Sequence, residues 1–276
     1  GSKKFTHCAV DQCGILETNY FEWEDGGVRL SINIDESCNL ACPSCRREQF
    51  MLSEGSEFEY KLKSVERILS WLEKYNKHAQ VITSGNGDCL ASHIMRPLIK
   101  NLNPGPYERR TFSLFTNGLL MKKILPGLPI LSKVVEFKIS VDAGSAEVYQ
   151  QVRQPGVWSN LIENLDWLDS NRGSAEVRLM FTVQQKNYQD LPNFVKLCQE
   201  RNYIAELTPL DNWNTWSSQY RPLDKSDPFT LKYGTLEDND VLDPEHPEHA
   251  ECLEILKNIE KFSNNVLINS KIKTLL

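Results

Sequence analysis

Two rhythms alternate along the middle of the chain. Residues 28–34, "VRLSINI", alternate apolar and polar positions and predict a strand. Leu62, Val65, Ile68, Leu69 and Leu72 then recur at helical spacing, predicting an amphipathic helix over 60–75. "QVITSGNGD" (80–88) predicts a short strand running into a glycine-rich loop, and helical character resumes over 91–101. "TFSLFTNG" (111–118) is a third strand, stopped by Asn-Gly. "VVEFKISVD" (134–142), "AEVRLMFTV" (175–183) and "YIAELTPL" (203–210) are three more. Between them lie a helix over 158–170, carrying Leu161, Leu165 and Leu168, and another striped by Leu191, Phe194, Val195 and Cys198. Strands that alternate with helices favour parallel βαβ units. Six such units predict an α/β fold, barrel-like or doubly wound.

The rhythm fades at both ends. Residues 1–27 read as an N-terminal extension, 28–213 as the α/β domain and 214–276 as a C-terminal loop and helix. Residues 211–246 are polar and rich in Pro and Asp, and read as a long connection that closes over the domain or reaches a partner. Within it, "LEDNDVLDPE" (236–245) reads as a solvated loop, and 247–262 as a C-terminal helix. The opening Gly1-Ser2 reads as an expression remnant.

Polar motifs fall where the predicted strands end. Cys38–Cys45 follow the first, Gly85–Asp88 the second and Asn117 the third, while Ser140 and Asp142 close the fourth. In parallel α/β folds this carboxyl edge is where ligands bind, so four separate stretches are expected at one mouth.

Composition narrows the class. The 276 residues are 40% apolar and 25% charged, as in ordinary globular proteins, and can bury a large core. A net charge of −6 argues against a nucleic-acid footprint. No apolar run approaches the ~20 residues of a membrane span, and no secretory signal is visible. The eight cysteines are clustered rather than spread as a disulfide framework, which suits metal ligation in a reducing cytoplasm.

"ESCNLACPSC" (36–45) holds Cys38, Cys42 and Cys45 spaced C-x3-C-x2-C. Core packing does not require such clustering. Structural zinc usually takes four protein ligands, and this triplet has no obvious fourth nearby. A [4Fe–4S] cluster commonly takes one thiolate per iron, so three cysteines leave one iron open to a small molecule.

This triplet after a first strand, with a glycine-rich loop after the second, resembles the radical S-adenosylmethionine superfamily over roughly residues 28–213. The resemblance implies a partial (β/α)6 TIM-like barrel with short N- and C-terminal extensions. It implies a [4Fe–4S] cluster on Cys38, Cys42 and Cys45, whose open iron chelates S-adenosylmethionine. It further implies an external electron donor, reductive cleavage to a 5′-deoxyadenosyl radical, and hydrogen abstraction from the substrate. "SGNGD" is similar to the family's glycine-glycine-glutamate loop, so Gly85, Asn86, Gly87 and Asp88 would face the methionine amino group. The tail "DPEHPEH" and the stretch "DNWNTWS" resemble a SPASM/twitch-type group. "ISVDAGSAEVYQQVR" resembles the fourth-strand segment of the peptide-modifying branches. There Ser140 would touch the ribose or methionyl group beside Asp142, and Arg153 would pair with the methionine carboxylate, for which a planar guanidinium is suited. Asn117 is a further cofactor contact by the same likeness, and the surface at Leu207–Leu210 would lie against the adenine. Two departures stand out: Ser44 replaces the aromatic residue usual before the third cysteine, and Asp88 is one methylene shorter than the usual glutamate. The substrate implied is a peptide or a small carbohydrate-like molecule. A non-catalytic iron–sulfur or zinc protein is the competing reading.

The remaining candidates divide. Cys8 and Cys13 could help bind a second, auxiliary cluster, or form a free pair. Cys89, directly after the cofactor loop, could donate a hydrogen atom to a substrate radical, or be a buried loop cysteine. Cys198 and Cys252 lie on apolar helix stripes and read as core. His246 and His249 could bind a metal, but Pro247 between them favours a helix start. Trp213 and Trp216 could stack on substrate or serve as apolar mass.

Overall fold

A computed structural model describes residues 27–83, 87–102, 110–212, 215–216, 223–262 and 264–276. Cys8, Cys13, Gly85, Asn86 and Trp213 lie outside them. Seven parallel strands form one sheet in sequential order: β1 (Val28–Ile32), β2 (Ala79–Thr83), β3 (Arg110–Thr116), β4 (Val134–Ser140), β5 (Glu176–Val183), β6 (Ile204–Pro209) and β7 (Val266–Ile268). β1 and β7 are the two edges, so the barrel is open, as the partial-barrel expectation requires. Six strands fall where the sequence pattern put them. The seventh adds only "VLI" against β6, too short to display a period of its own.

The crossovers carry the helices α1 (Ser56–Lys74), α2 (Met95–Asn101), α3 (Ala146–Val152), α4 (Trp158–Asn171), α5 (Leu191–Glu200), α6 (Pro228–Tyr233) and α7 (His249–Phe262), with only the short turns Met121–Ile124 and Pro129–Lys133 between β3 and β4. Except in α6, the helices' apolar stripes meet one face of the sheet. Val81, Leu114, Phe137, Ile139, Leu179, Phe181 and Leu207 on the strands and Leu98, Leu161, Leu165, Phe194 and Cys198 on the helices share one buried cluster. Each large aliphatic or aromatic side chain buried there is worth about 1.5–3 kcal/mol.

The other sheet face is polar and half-buried, unlike the apolar layers that fill a closed barrel. Gln80 bonds Arg29 (2.9 Å) and Ser113 (3.1 Å). Further across, Lys138 pairs with Glu206 (3.1 Å), and Arg178 spans Glu136 (3.1 Å) and Glu206 (3.5 Å). The strand period of two separates these residues from the core set on the same strands.

The connection over 211–246 is more ordered than its composition suggests. Asp227 caps α6 by accepting from the Thr230 N–H, with Pro228 at the first helical position. Thr235 and Asp238 close a capping box on the turn Leu236–Asn239. Asn239, Val241 and Leu242 are buried, so three of the ten residues of "LEDNDVLDPE" face inward rather than solvent. The cap signatures "DPFT" and "TLED" were present in the sequence, but short helices show no apolar period. Among the described residues no helix is long and apolar enough to cross a membrane.

Candidate functional site

The cysteine loop follows β1, and the connections that follow β2, β3 and β4 bond to it. Cys38 begins it, paired to Phe50 through an antiparallel bridge with its N–H on the Phe50 carbonyl at 2.8 Å. Cys42 closes a tight turn, its carbonyl accepting from the N–H groups of Cys45 (2.8 Å) and Arg46 (3.0 Å). Cys42 is buried, while Cys38 and Cys45 are half-buried. Burial pushes the Cys42 thiol up to about 12, with Arg153 pulling the other way. Burial, and then Asp88, also raise the Cys38 thiol.

Every neighbouring loop is fastened to this one. Asn117, just past β3, donates to Asn39 Oδ1 at 2.8 Å and lies 3.8 Å from Cys38 Sγ. The Ala41 N–H donates to the Gln154 carbonyl at 2.6 Å. Arg46 returns to the Glu36 carbonyl at 2.7 Å. Gly87 sits directly on the chain ahead of Cys38: a Cβ there would stand 2.3 Å from the Ser37 carbonyl oxygen. Only glycine permits so close an approach of two backbones.

Asp88 faces inward. One carboxylate oxygen accepts from the N–H groups of Leu90 (2.9 Å) and Ala91 (3.0 Å). The other accepts from the Thr116 hydroxyl (2.8 Å) and the Asn117 N–H (2.6 Å). These four donors occupy both oxygens, so the carboxylate ties the loop to β3 rather than standing open to an ammonium. Ser92 on the same loop bonds the buried Asp35, and its oxygen accepts from Ile94 (3.1 Å) and Met95 (2.9 Å) at the start of α2.

Past β4, Asp142 adopts a left-handed backbone (φ 57°). Its carboxylate accepts from the Thr182 N–H (2.7 Å) and from Arg153 Nη1 (3.0 Å). Arg153 is buried, and its Nε finds no partner among the described residues. Arg153 thus meets Asp142, a pairing the sequence reading did not foresee. Ser140 ends β4 in register with Met180, and Leu210 follows β6, buried.

A segment far along the chain covers the loop. Arg47 donates to the Thr215 carbonyl (2.8 Å) and Asp227 (2.6 Å), and its guanidinium lies 4.6 Å from the Phe229 ring centre. Nothing in "CRREQF" singles out this arginine, since its partners are about 170 residues away. Trp216 beside it is buried, which fits the apolar-mass reading.

The lesser candidates resolve towards packing. Cys89 is buried, its thiol on the Phe115 carbonyl at 3.1 Å, and burial raises it. Cys198 and Cys252 are buried in the core. His246 accepts from the Glu248 N–H (3.1 Å), and His249 Nδ1 lies 3.2 Å from the Val241 carbonyl at the start of α7.

A family model for the radical SAM superfamily matches residues 32–198, more than half of the chain. An uncharacterised protein of Archaeoglobus fulgidus is 22% identical over 201 residues, covering 73% of this chain and 46% of that protein. In structure the chain is similar to Streptococcus suis SuiB bound to its precursor peptide SuiA (TM-score 0.53, 13% identity, 88% of this chain, 49% of that one). It is also similar to anSMEcpe with bound AdoMet and the Cp18Cys peptide (TM-score 0.51, 16% identity, 88% and 63%). The chain spans about half the length of the first two of these relatives. With the matched segment running from the end of β1 through α5, and so taking in the cysteine loop and the loops bonded to it, the chain belongs to the radical SAM superfamily, whose members use a [4Fe–4S] cluster and S-adenosylmethionine.

Proposed function

We propose that this chain is the partial-barrel domain of an enzyme that reductively cleaves S-adenosylmethionine and abstracts hydrogen from its substrate. The observation that carries this reading is the convergence of four strand-end loops on Cys38, Cys42 and Cys45. When bound, cluster and cofactor supply a 5′-deoxyadenosyl radical.

The residues present fit that group. Cys42 is a buried thiol, a form that ionises reluctantly by itself but loses its proton on binding metal. Among the described residues no three His, Cys, Asp or Glu side chains gather into a single-ion site. A [4Fe–4S] cluster spreads its thiolate ligands over several irons and needs no single-ion geometry. The unpartnered Nε of Arg153 leaves a donor for the methionine carboxylate. Asn117, beside Cys38, and Ser140, Asp142 and Leu210 at the strand ends would line the cofactor.

The chain's own work is positioning. Asp88 holds the second loop to β3, Asp142 orients Arg153, and Arg47 draws the segment around Thr215 and Asp227 over the loop and limits water. A peptide substrate is favoured, because SuiB and anSMEcpe were each captured with one. The stretches "DNWNTWS" and "DPEHPEH" support the SPASM/twitch-like branch, with Cys8 and Cys13 as candidates for an auxiliary cluster. Six free thiols among the described residues suit a cytoplasmic setting.

Anaerobic reconstitution with dithionite and S-adenosylmethionine should release 5′-deoxyadenosine and hold about four irons per chain, or about eight with a second cluster. Stoichiometric zinc and an intact cofactor would refute the reading and favour the non-catalytic alternative.

A further inference from the structure

Lys186, in the turn after β5, and Lys232, near the end of α6, share one aromatic ring. Their ammonium nitrogens lie 5.2 and 4.7 Å from the centre of Tyr233. A ring face attracts one exposed cation by about 0.5–1 kcal/mol. Two on one ring repel each other, and neither forms an ion pair among the described residues. Burial, and then Lys232, push the Lys186 ammonium below its ordinary range, and no carboxylate offsets the shift.

The arrangement is braced. Tyr233 Oη donates to Gln154 Oε1 at 2.9 Å, and the Gln154 carbonyl holds the Ala41 N–H next to Cys42. Phe229 tilts against the same ring at 4.7 Å. The Gln185 N–H donates to the Asn239 carbonyl at 2.9 Å, which fixes the turn. On that turn Gln184 is 3% exposed, and its amide Nε2 has no partner among the described residues. Two uncompensated cations therefore share the ring that bonds Gln154, the cysteine loop's tether. Arg153, also near the cysteines, pairs with Asp142 through one nitrogen and is reserved for the cofactor.

We infer that Lys186 and Lys232 form a subsite for an oxyanion group of the substrate, a carboxylate or a phosphate, at the rim of the cysteine loop. This rests on the proposed function, because the rim borders the space where that substrate would lie. An anion between the ammonium groups turns their repulsion into attraction, and beside the half-buried Lys186 the gain exceeds that of an open surface pair.

Nuclear magnetic resonance of the full chain carrying 13C-methylated lysines tests this directly. Lys186→Arg and Lys232→Arg assign the two resonances. Succinate and inorganic phosphate are titrated separately, with chloride keeping ionic strength constant. Both resonances should shift saturably with at least one anion, the stronger arm telling carboxylate from phosphate, and Lys232→Gln should weaken the Lys186 response at least tenfold. Equal shifts at all lysines, or the same shift with chloride, overturn the subsite. Silence towards both anions with a response only to an acidic electron-donor protein overturns it in favour of a docking surface. Release of 5′-deoxyadenosine from the same preparation separates the two claims: release without an anion response removes the subsite alone, and an anion response without release removes the radical reading alone.

Discussion

The N–H of Asp88 donates to the carbonyl of Ser37 at 2.8 Å, so the loop after β2 is bonded to the chain one residue ahead of the first cysteine. Gly87 makes that approach possible. In Gly87→Ala the new Cβ would meet the Ser37 oxygen at 2.3 Å and the Glu36 carbonyl carbon at 2.7 Å. Both are backbone atoms and cannot swing aside. Overpacking of this kind costs about 1–3 kcal/mol. The variant should melt at lower temperature and take up less iron on reconstitution. Wild-type values for both would show that the loops are not coupled this way.

Asp88 accepts four hydrogen bonds on its two oxygens. In Asp88→Asn one end becomes a donor and meets either two N–H groups or the Asn117 N–H beside the Thr116 hydroxyl. Losing charge-assisted bonds and opposing donors costs about 2–4 kcal/mol. The urea midpoint should fall accordingly. A change within about 0.5 kcal/mol, the usual range for a surface substitution, would mean the carboxylate is not the tie described.

The fold was legible because parallel strands buried on one face display their period, and because Asn-Gly and glycine-rich stops mark their ends. The cysteine loop was legible because its three ligand candidates are neighbours in sequence. The partner of Arg153 was not, since Asp142 looked like a cofactor contact on the same motif and only the left-handed turn brings the two together. Arg47 was equally hidden: its bonds to Thr215 and Asp227 join positions that no local pattern relates. The helix α6 was missed for a third reason, its identity resting on the cap at Asp227 rather than on any apolar stripe.

Alkali should loosen α7. Burial, with Glu251 and Asp240, raises the Cys252 thiol from 9.0 to about 12. Burial and the bond to Glu251 (3.0 Å) raise the Tyr188 phenol from 10.0 to about 12. Both folded-state values lie above the unfolded ones, so the unfolded chain loses protons first as pH rises. The stability these groups supply is complete below about pH 9 and is lost as pH climbs towards 12. Urea midpoints measured from pH 8 to 11 should fall, and the double variant Cys252→Ala, Tyr188→Phe should fall less steeply. An unchanged slope would refute the assignment.

Arg47→Ala removes both hydrogen bonds and the stacking on Phe229 in one step. The β-sheet is untouched, so the change should be local. Amide exchange across α6 should quicken while the strands keep their protection. Arg47→Lys should restore little, because an ammonium cannot span two acceptors and lie flat on a ring. Exchange that quickens equally in β4 and β5 would show that the clamp supports the whole domain instead.

Asp142 and Arg153 make opposite predictions for stability and for cofactor binding. Asp142 is the guanidinium's carboxylate partner, and the two side chains are only 4% and 11% exposed. Asp142→Ala strands that charge, costs about 3–5 kcal/mol and places alanine at a positive φ. Arg153→Lys keeps a cation near Asp142 and should cost less. A lysine, however, offers no second fixed donor, and in the native chain that donor is the idle Nε. Calorimetric titration of reconstituted protein with S-adenosylmethionine should therefore show binding at least tenfold weaker in Arg153→Lys, with the melting temperature nearly kept. If Arg153→Lys binds the cofactor as the native chain does, the idle nitrogen is not waiting for the methionine carboxylate, and Arg153 serves only to neutralise Asp142.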